Sequence, residues 1–449
     1  MQPVEHGDLA TAPAHESWRE CPHCGLVSAL PAPKPLHVVY CPRCDLALWR
    51  MRRVSFNFPI ACGLAAFFFY MSALAAPFLE ITSYGRFQLA RITTGPTQLT
   101  EQGYGSVALL VFAVTMIFPG IKLAILLLTL IGIETHFLPN RLLKALFRWY
   151  VPISPWAMID VYLLGFLVAY TRLTVMASVH LDTALFSLIG FMISIAAADG
   201  SLDHEAAWRA LDHNATHGPH AHILHAHALH AAHATPPAAP NPADPLISCS
   251  ACGLLNQALP GTPCRRCHGT LHPRKTDSIR RTWAFLIAAV LLYIPANIYP
   301  VMTITQLDRT YPYTIMGGIV ELVNYNLWPL ALLVFFASIT IPLMKLLILG
   351  YMLLQTQKGS TLHLVGRTRA FRIIDFIGRW SMIDVFMISI LVALVRFNQF
   401  ADVRAQPGVS CFAAVVVLTI FAVNTFDPRL MWDVPAEQTA KATQGQRTA

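Results

Sequence analysis

The sequence predicts an α-helical polytopic membrane protein. It is built from two tandem parallel repeats, each a zinc-ribbon-like module followed by four transmembrane helices, with short β-strands in the outward loops. Three observations lead there. The 449 residues are 55% hydrophobic and only 12% charged, against about 25% charged for a soluble chain. The apolar residues fall into eight long runs. And the chain repeats itself: Tyr70-Met-Ser-Ala-Leu-Ala-Ala-Pro77 returns as Tyr293-Ile-Pro-Ala-Asn-Ile-Tyr-Pro300. Pro119-Gly-Ile-Lys122 returns as Pro342-Leu-Met-Lys345, and Trp156-Ala-Met-Ile-Asp160 as Trp380-Ser-Met-Ile-Asp384. Lys122 and Lys345 are 223 positions apart, Asp160 and Asp384 are 224 apart, so one unit is present twice.

A helix needs about 20 apolar residues to cross a bilayer. The eight runs cover 58–79, 106–132, 153–176, 181–198, 283–303, 327–354, 378–397 and 409–426. Their orientation follows from Lys and Arg, which gather in alternate loops: Arg50, Arg52 and Arg53; Arg141, Lys144 and Arg148; Arg265 to Arg281; Lys358 to Arg379. Basic loops stay in the cytosol. Both termini, both cysteine modules and the central linker are then cytosolic. Four spans per half is an even number, so the halves run the same way. The net charge of +8 is spent on these loops and forms no basic face for nucleic acid. No charged start followed by an apolar run opens the chain, so the first span is expected to be the targeting signal.

The outward segments 81–92 and 302–311 alternate polar and apolar residues, which reads as strands or a hairpin. Arg141 to Tyr150 reads as a helix lying in the membrane interface. The expected units are a disordered tail 1–20, a first ribbon 21–50, a first membrane module 54–200, a linker 201–245, a second ribbon 246–275, a second membrane module 280–433 and a tail 434–449.

Eight of ten cysteines form four Cys-x-x-Cys pairs: Cys21/Cys24 with Cys41/Cys44, and Cys249/Cys252 with Cys264/Cys267. Two such pairs at this spacing can place four thiolates around one zinc. Modules this short have no core of their own, so the metal would hold the fold. The competing reading, a redox pair or disulfide, meets a reducing cytosol and lacks a thioredoxin-like context. Four sulfurs close the site, which argues against a catalytic zinc. Cys62 and Cys411 stand alone and read as small buried residues. The linker carries nine histidines between His204 and His233; it reads as a solvated tether, with loose metal binding as the alternative.

Charges at membrane depth are costly. Lys122 and Asp160, and equally Lys345 and Asp384, enter from opposite sides and reach similar depth, so a Lys–Asp pair in each half is expected. Pro119 and Pro342 would open a kink beside each lysine. The second half surrounds its pair with more hydroxyls: Ser338, Ser381, Ser389 and Thr419, where Ser381 stands opposite Ala157. That points to the second half for a proton- or substrate-coupled step; the bland reading is helix packing. Arg172 and Arg396, near the outer surface, read as snorkelling residues or as lipid-headgroup contacts.

The doubled knuckles, Pro-x-x-Lys in each second span, Trp-x-Met-Ile-Asp-Val in each third span and the closing Phe426-Asp-Pro-Arg-Leu-Met-Trp-Asp433 together resemble the paraquat-inducible protein A family over residues 21–433. The departures are the His-rich linker and a first half that reads Ala-Ala-Asp199-Gly where Phe-Asp-Pro-Arg is expected. The resemblance implies a bacterial inner-membrane component of an intermembrane phospholipid transport system, working with a periplasmic MCE-domain tunnel protein. It implies that Lys345, Asp384 and Thr419 form a polar relay, with Lys122 and Asp160 as first-half counterparts. No P-loop is present, so uphill transport would draw on a proton gradient or a partner. Two other readings are a non-transporting adaptor that anchors the partner, and a membrane metal or redox sensor. No nucleophile–base arrangement suggests an enzyme.

Overall fold

Backbone N–H and C=O groups in an apolar medium must be satisfied within the chain, which leaves helices as the solution for runs of Leu, Ile, Val, Phe and Ala. In the computed structural model, which describes residues 18–29, 38–50, 55–83, 86–174, 178–217, 245–306, 309–394 and 401–433, eight helices are long and apolar enough to cross a membrane. They are Asn57–Ala75, Gly105–Thr135, Asn140–Thr171 and Thr183–Ser201 in the first half. Ser278–Ile298, Trp328–Gln357, Leu364–Ala393 and Pro407–Asp433 form the second. The protein is a multi-pass membrane protein of two tandem repeats. Within each half the first and fourth spans pack along their length against each other.

The expected proline kinks are π-helical turns. Ala113–Ile117 precedes Pro119, and Phe336–Thr340 precedes Pro342. Proline has no N–H to return to the preceding turn, and a widened turn absorbs the mismatch. The repeated tyrosines satisfy carbonyls there: the Tyr70 hydroxyl donates to Met116 O at 2.6 Å and the Tyr293 hydroxyl to Ile339 O at 3.3 Å.

The third and seventh spans are each broken. Asn140–Ile153 is the expected amphipathic helix; a 3-10 turn at Ser154–Trp156 then leads into Ile159–Leu173. Leu364–Ile377, the turn Gly378–Met382 and Ile383–Leu394 repeat that plan.

At one end of the spans lie the ribbons. Strands β1 (Trp18–Glu20) and β2 (Val27–Ala29), then β3 (Val38–Tyr40) and β4 (Ala47–Arg50), form the first. At the other end lie two sheets. In one, β5 (Leu79–Ser83) pairs with β6 (Arg86–Ala90) and with β7 (Ser178–Leu181). The second ribbon carries the hairpin β8 (Leu246–Ser248) and β9 (Leu255–Gln257). In the other sheet of that end, β10 (Met302–Gln306) pairs with β11 (Arg309–Tyr313) and β12 (Ala401–Ala405). The hairpins match expectation. The third strands do not follow from pattern: each is only four or five residues between two spans and is recruited by the free edge of β5 or β10.

Two boundaries need correction. The tail expected at 1–20 contributes β1, and Glu20 is an ion-pair centre. The linker expected at 201–245 begins with a helix, His204–His217, whose Ala207, Trp208 and Leu211 are buried. Residues 218–244, with most of the histidines, lie outside the described residues.

One core joins both halves. They meet through repeat-equivalent helices, Ile159–Leu173 against Ile383–Leu394. Gly165 makes the approach possible: a Cβ there would lie 3.0 Å from Phe386 Cβ and 3.1 Å from Ile383 O. The seventh span is the more enclosed, with 78% of its apolar stretch buried against 39% of the third.

The ribbons are exchanged. Cys21, Cys24, Cys41 and Cys44 share a core with Leu286, Leu349, Phe371, Phe426 and Trp432, all of the second half. Cys249, Cys252, Cys264 and Cys267 share theirs with Leu126, Leu143, Phe147, Leu202 and Trp208 of the first. Each ribbon is covered by the half it does not precede, the geometry of a swapped dimer whose two chains are joined.

Candidate functional site

Each cysteine pair sits in a turn of one design. The N–H of the residue after the second cysteine returns to the first cysteine's carbonyl: Gly25 to Cys21, Asp45 to Cys41, Gly253 to Cys249 and His268 to Cys264, at 2.9 to 3.0 Å. These four residues have positive φ, from 56° to 71°. Glycine adopts that region freely; Asp45 and His268 accept it to close the turn. In each ribbon the four sulfurs are buried and lie within 4.8 Å of one another. Neighbouring sulfurs stand 3.5 to 3.6 Å apart, too far for disulfides, and all eight cysteines are free. A tetrahedron of about 2.3 Å zinc–sulfur bonds has edges near 3.8 Å, so the donor set fits such an ion. His23 is buried beside the first cluster and packs edge-on against Phe371, ring centroids 6.0 Å apart. Burial, then the charges of Arg372 and Lys275, push it down to about 4.

Charge locks each ribbon to its half. Glu20 accepts from Arg274 and Arg429, each at 3.1 Å, and Arg429 also holds Asp427 at 3.1 Å. Arg43 lies over the Trp432 ring, 5.2 Å from its centroid. Arg372 donates to the carbonyls of Cys44 and Asp45. The closing motif is thus the seat of the first ribbon. Its first-half equivalent is Leu202-Asp203-His-Glu205-Ala-Ala-Trp208, 224 positions earlier, and not the stretch around Asp199 that the sequence suggested. Leu202 and Phe426 end their helices alike, with N–H groups bonded to Ala198 O and Ala422 O. Asp203 and Asp427 then accept from backbone N–H groups two residues on. Glu205, buried in the position of Arg429, gathers Arg19 of the first ribbon, Arg266 of the second (3.2 Å) and Arg209 (3.3 Å). Burial, and the repulsion of Arg266 and Arg209, lower the Arg19 pKa from its usual value.

The two lysines are buried, but neither makes the expected Lys–Asp pair. Lys122 Nζ donates to Asp199 Oδ2 at 2.5 Å, and the Tyr150 hydroxyl donates to the other oxygen of Asp199. Asp160 is exposed at the start of its helix. Lys345 Nζ donates to Gly378 O at 2.6 Å, Ser381 Oγ at 3.1 Å and Thr419 Oγ1 at 3.3 Å. The 3-10 turn causes this: it aims the Gly378 carbonyl and the Ser381 hydroxyl at the ammonium. Asp384 lies one turn further on, buried. Ser338, in the π turn, is 1% exposed with an unpartnered Oγ; Ser389 is buried as well. The structure therefore gathers Lys345, Ser381 and Thr419 at contact distance. Asp199 and Tyr150 were missed, because their repeat equivalents are Val423 and Ile374 and no doubled motif marks them. The Arg172 side chain and Arg396 lie outside the described residues.

Two cavities adjoin the lysines at equivalent places. The first, about 220 Å³, is lined by Lys122, Asp160, Asp199 and, from the other half, Arg379. The second, about 60 Å³, is lined by Lys345, Asp375, Gly378 and Val423, with Pro155 and Met158 reaching across from the first half.

Comparison with known proteins agrees with this plan. The family model of paraquat-inducible protein A matches twice, at residues 56–212 and 279–435. The intermembrane transport protein PqiA of Escherichia coli K12 is 28% identical over 420 residues, 92% of this chain and 95% of the relative. The lipophilic envelope-spanning tunnel protein A of the same strain is 28% identical, covering 93% and 91%. A probable intermembrane transport protein of Haemophilus influenzae is 25% identical, covering 88% and 90%. No solved structure matches.

Proposed function

Because the chain belongs to the paraquat-inducible protein A family, we propose that it is the inner-membrane component of an intermembrane phospholipid transport system, passing lipid to or from a periplasmic MCE-domain tunnel, and not an enzyme. The basic loops put the ribbons and both termini in the cytosol, and the outer sheets then face the periplasmic partner. Each ribbon holds one structural zinc.

The observation that carries the reading is the environment of Lys345. Among the described residues, this buried ammonium is surrounded by a carbonyl and two hydroxyls and has no carboxylate at contact distance. Its direct contacts are all neutral dipoles, with the Asp375 carboxylate acting on it from beyond contact distance, so gaining or losing a proton changes what the site costs to bury. Such a group can bias two packings of the second half. Asp384 and Ser338 extend the polar track. Proton movement through Lys345, Ser381, Thr419 and Asp384 would drive the alternation, with Lys122 and Asp160 in the less enclosed first half. Arg172 and Arg396 are proposed headgroup contacts on the outer side.

The test is photocrosslinking in cells labelled with radioactive phosphate, with the crosslinker at Ser338, Ser381 or Thr419. Labelled phospholipid at these positions is expected. Label confined to positions facing bulk lipid would overturn the transport reading and leave an adaptor.

A further inference from the structure

We propose that the first-half cavity binds the headgroup of a zwitterionic phospholipid, Arg379 taking the phosphodiester and Asp160 the cationic amine. The proposal rests on the lipid-transport reading and names a headgroup class and a place for it.

Of the four charged side chains lining the cavity, two cancel. Lys122 and Asp199 are bonded at 2.5 Å, and Tyr150 occupies the second oxygen of Asp199. Arg379 and Asp160 are left over. Both line the same space of about 220 Å³, and among the described residues neither has an ion pair or hydrogen bond. Arg379 also lines the smaller cavity with Asp375, and the two charges feel each other from beyond ion-pair distance.

One cation and one anion without a bonded partner among the described residues fit a ligand carrying both charges. An anionic headgroup would satisfy Arg379 and set Asp160 against like charge; a zwitterion satisfies both. The guanidinium fork matches two phosphate oxygens. Phe191, Met192 and Ile195 of the fourth span form an apolar wall, suited to the glycerol and first acyl carbons. The cavity lies at the broken turns of the third and seventh spans, on the ribbon side, where headgroups of that leaflet sit. Pseudo-symmetry makes the site one-sided. The equivalent of Arg379 is Pro155, and it is Pro155 that enters the second cavity, which is also about a quarter of the size.

The experiment uses full-length protein in nanodiscs of equal phosphatidylethanolamine and phosphatidylglycerol, with retained lipid read by native mass spectrometry. Wild type is expected to retain phosphatidylethanolamine preferentially. Asp160→Asn should lower the ethanolamine-to-glycerol ratio by about threefold to fivefold, the scale of one partly exposed charge contact. Arg379→Gln should lower retention of both lipids. Asp375→Asn alters only the charge beside Arg379, which takes the phosphate common to both lipids, so the ratio should stay unchanged. Zinc content and monodispersity confirm the fold of each variant. An unchanged ratio in folded Asp160→Asn overturns the proposal, as does an equal shift in Asp375→Asn. Glycerophosphoethanolamine, the same headgroup without acyl chains, should bind far more weakly; equal binding would assign the cavity to a soluble phosphoamine and overturn the lipid source. If headgroup selectivity holds while crosslinkers in the second half find no lipid, the transport reading fails and this site stands.

Discussion

Lys122 and Lys345 occupy one position of the repeat and have exchanged every side-chain partner. Lys122 bonds Asp199, itself held by Tyr150, and the second half has Val423 and Ile374 at those places. Lys345 bonds Ser381 and Thr419, and the first half has Ala157 and Ile195 there. One half holds its ammonium with a fixed counter-charge. The other holds it with neutral dipoles that can also bond elsewhere.

Substituting the two lysines should therefore have opposite consequences. Lys345→Met leaves Ser381 bonded to Gly378 O at 2.9 Å and Thr419 to Val416 O at 2.8 Å. No bonded partner is stranded, and Asp375 keeps Arg379 and Lys275 as neighbouring charges, so the melting temperature in detergent should hold or rise while the proposed lipid transport is lost. Lys122→Met strands Asp199, and removing one member of a buried pair costs about 3 kcal/mol or more, reduced here because Asp199 is a third exposed. Its melting temperature should fall. Equal thermal shifts for the two variants would contradict this assignment.

Metal removal should act across the repeat. Cys24→Ser should cost one of two zinc ions, read by elemental analysis. Hydrogen exchange should then rise in Leu364–Ile377 and around Phe426 and Trp432 of the second half, since these cover the first ribbon. Exchange rising first in Asn140–Ile153 would contradict the swapped arrangement.

Trp432 anchors that contact. It is buried, its indole N–H donates to Thr368 Oγ1 at 3.1 Å, and Arg43 lies over its ring. Trp432→Ala should destabilise by about 3–5 kcal/mol and expose the first ribbon to protease. Trp432→Phe, keeping the apolar ring, should recover most of the loss.

Glu205 serves three arginines. Glu205→Gln leaves Arg19, Arg209 and Arg266 crowded around a neutral amide, with the buried Arg266 keeping Asp212 at 2.8 Å. Because Arg266 keeps Asp212, the expected loss falls below the roughly 3–5 kcal/mol of a fully unpaired buried charge, measured by chemical unfolding. Rising salt should narrow the gap to wild type by screening the arginines from one another.

Gly95 tests the contact between halves at the sheet end. A Cβ there would lie 2.5 Å from Ser389 Oγ and 2.9 Å from Ser389 O. Gly95→Val should cost about 1–3 kcal/mol through overpacking. It should separate the halves without touching either ribbon, so zinc content stays at the wild-type value.

What the sequence determined by itself was everything carried by period and spacing. Apolar runs of bilayer length specify the spans. Four Cys-x-x-Cys pairs specify two four-sulfur centres, because a turn of that length brings both sulfurs to one side. The motifs doubled at 223 or 224 positions specify two equivalent halves, including the lysines. What only the tertiary structure decided was which groups meet. The ribbon exchange leaves no local mark, since either half offers an apolar seat and the choice rests on Glu20 meeting Arg429 and Arg266 meeting Glu205, hundreds or tens of residues apart. The partners of the lysines escaped for a related reason. Depth along a helix follows from counting residues, but facing depends on how each helix is rotated, and after the 3-10 turns Asp160 and Asp384 stand out of bonding contact with the lysines. The third strands, the π turns and the Arg379 side chain in the other half's cavity are likewise settled by packing, where neighbours distant in sequence supply the missing bonds.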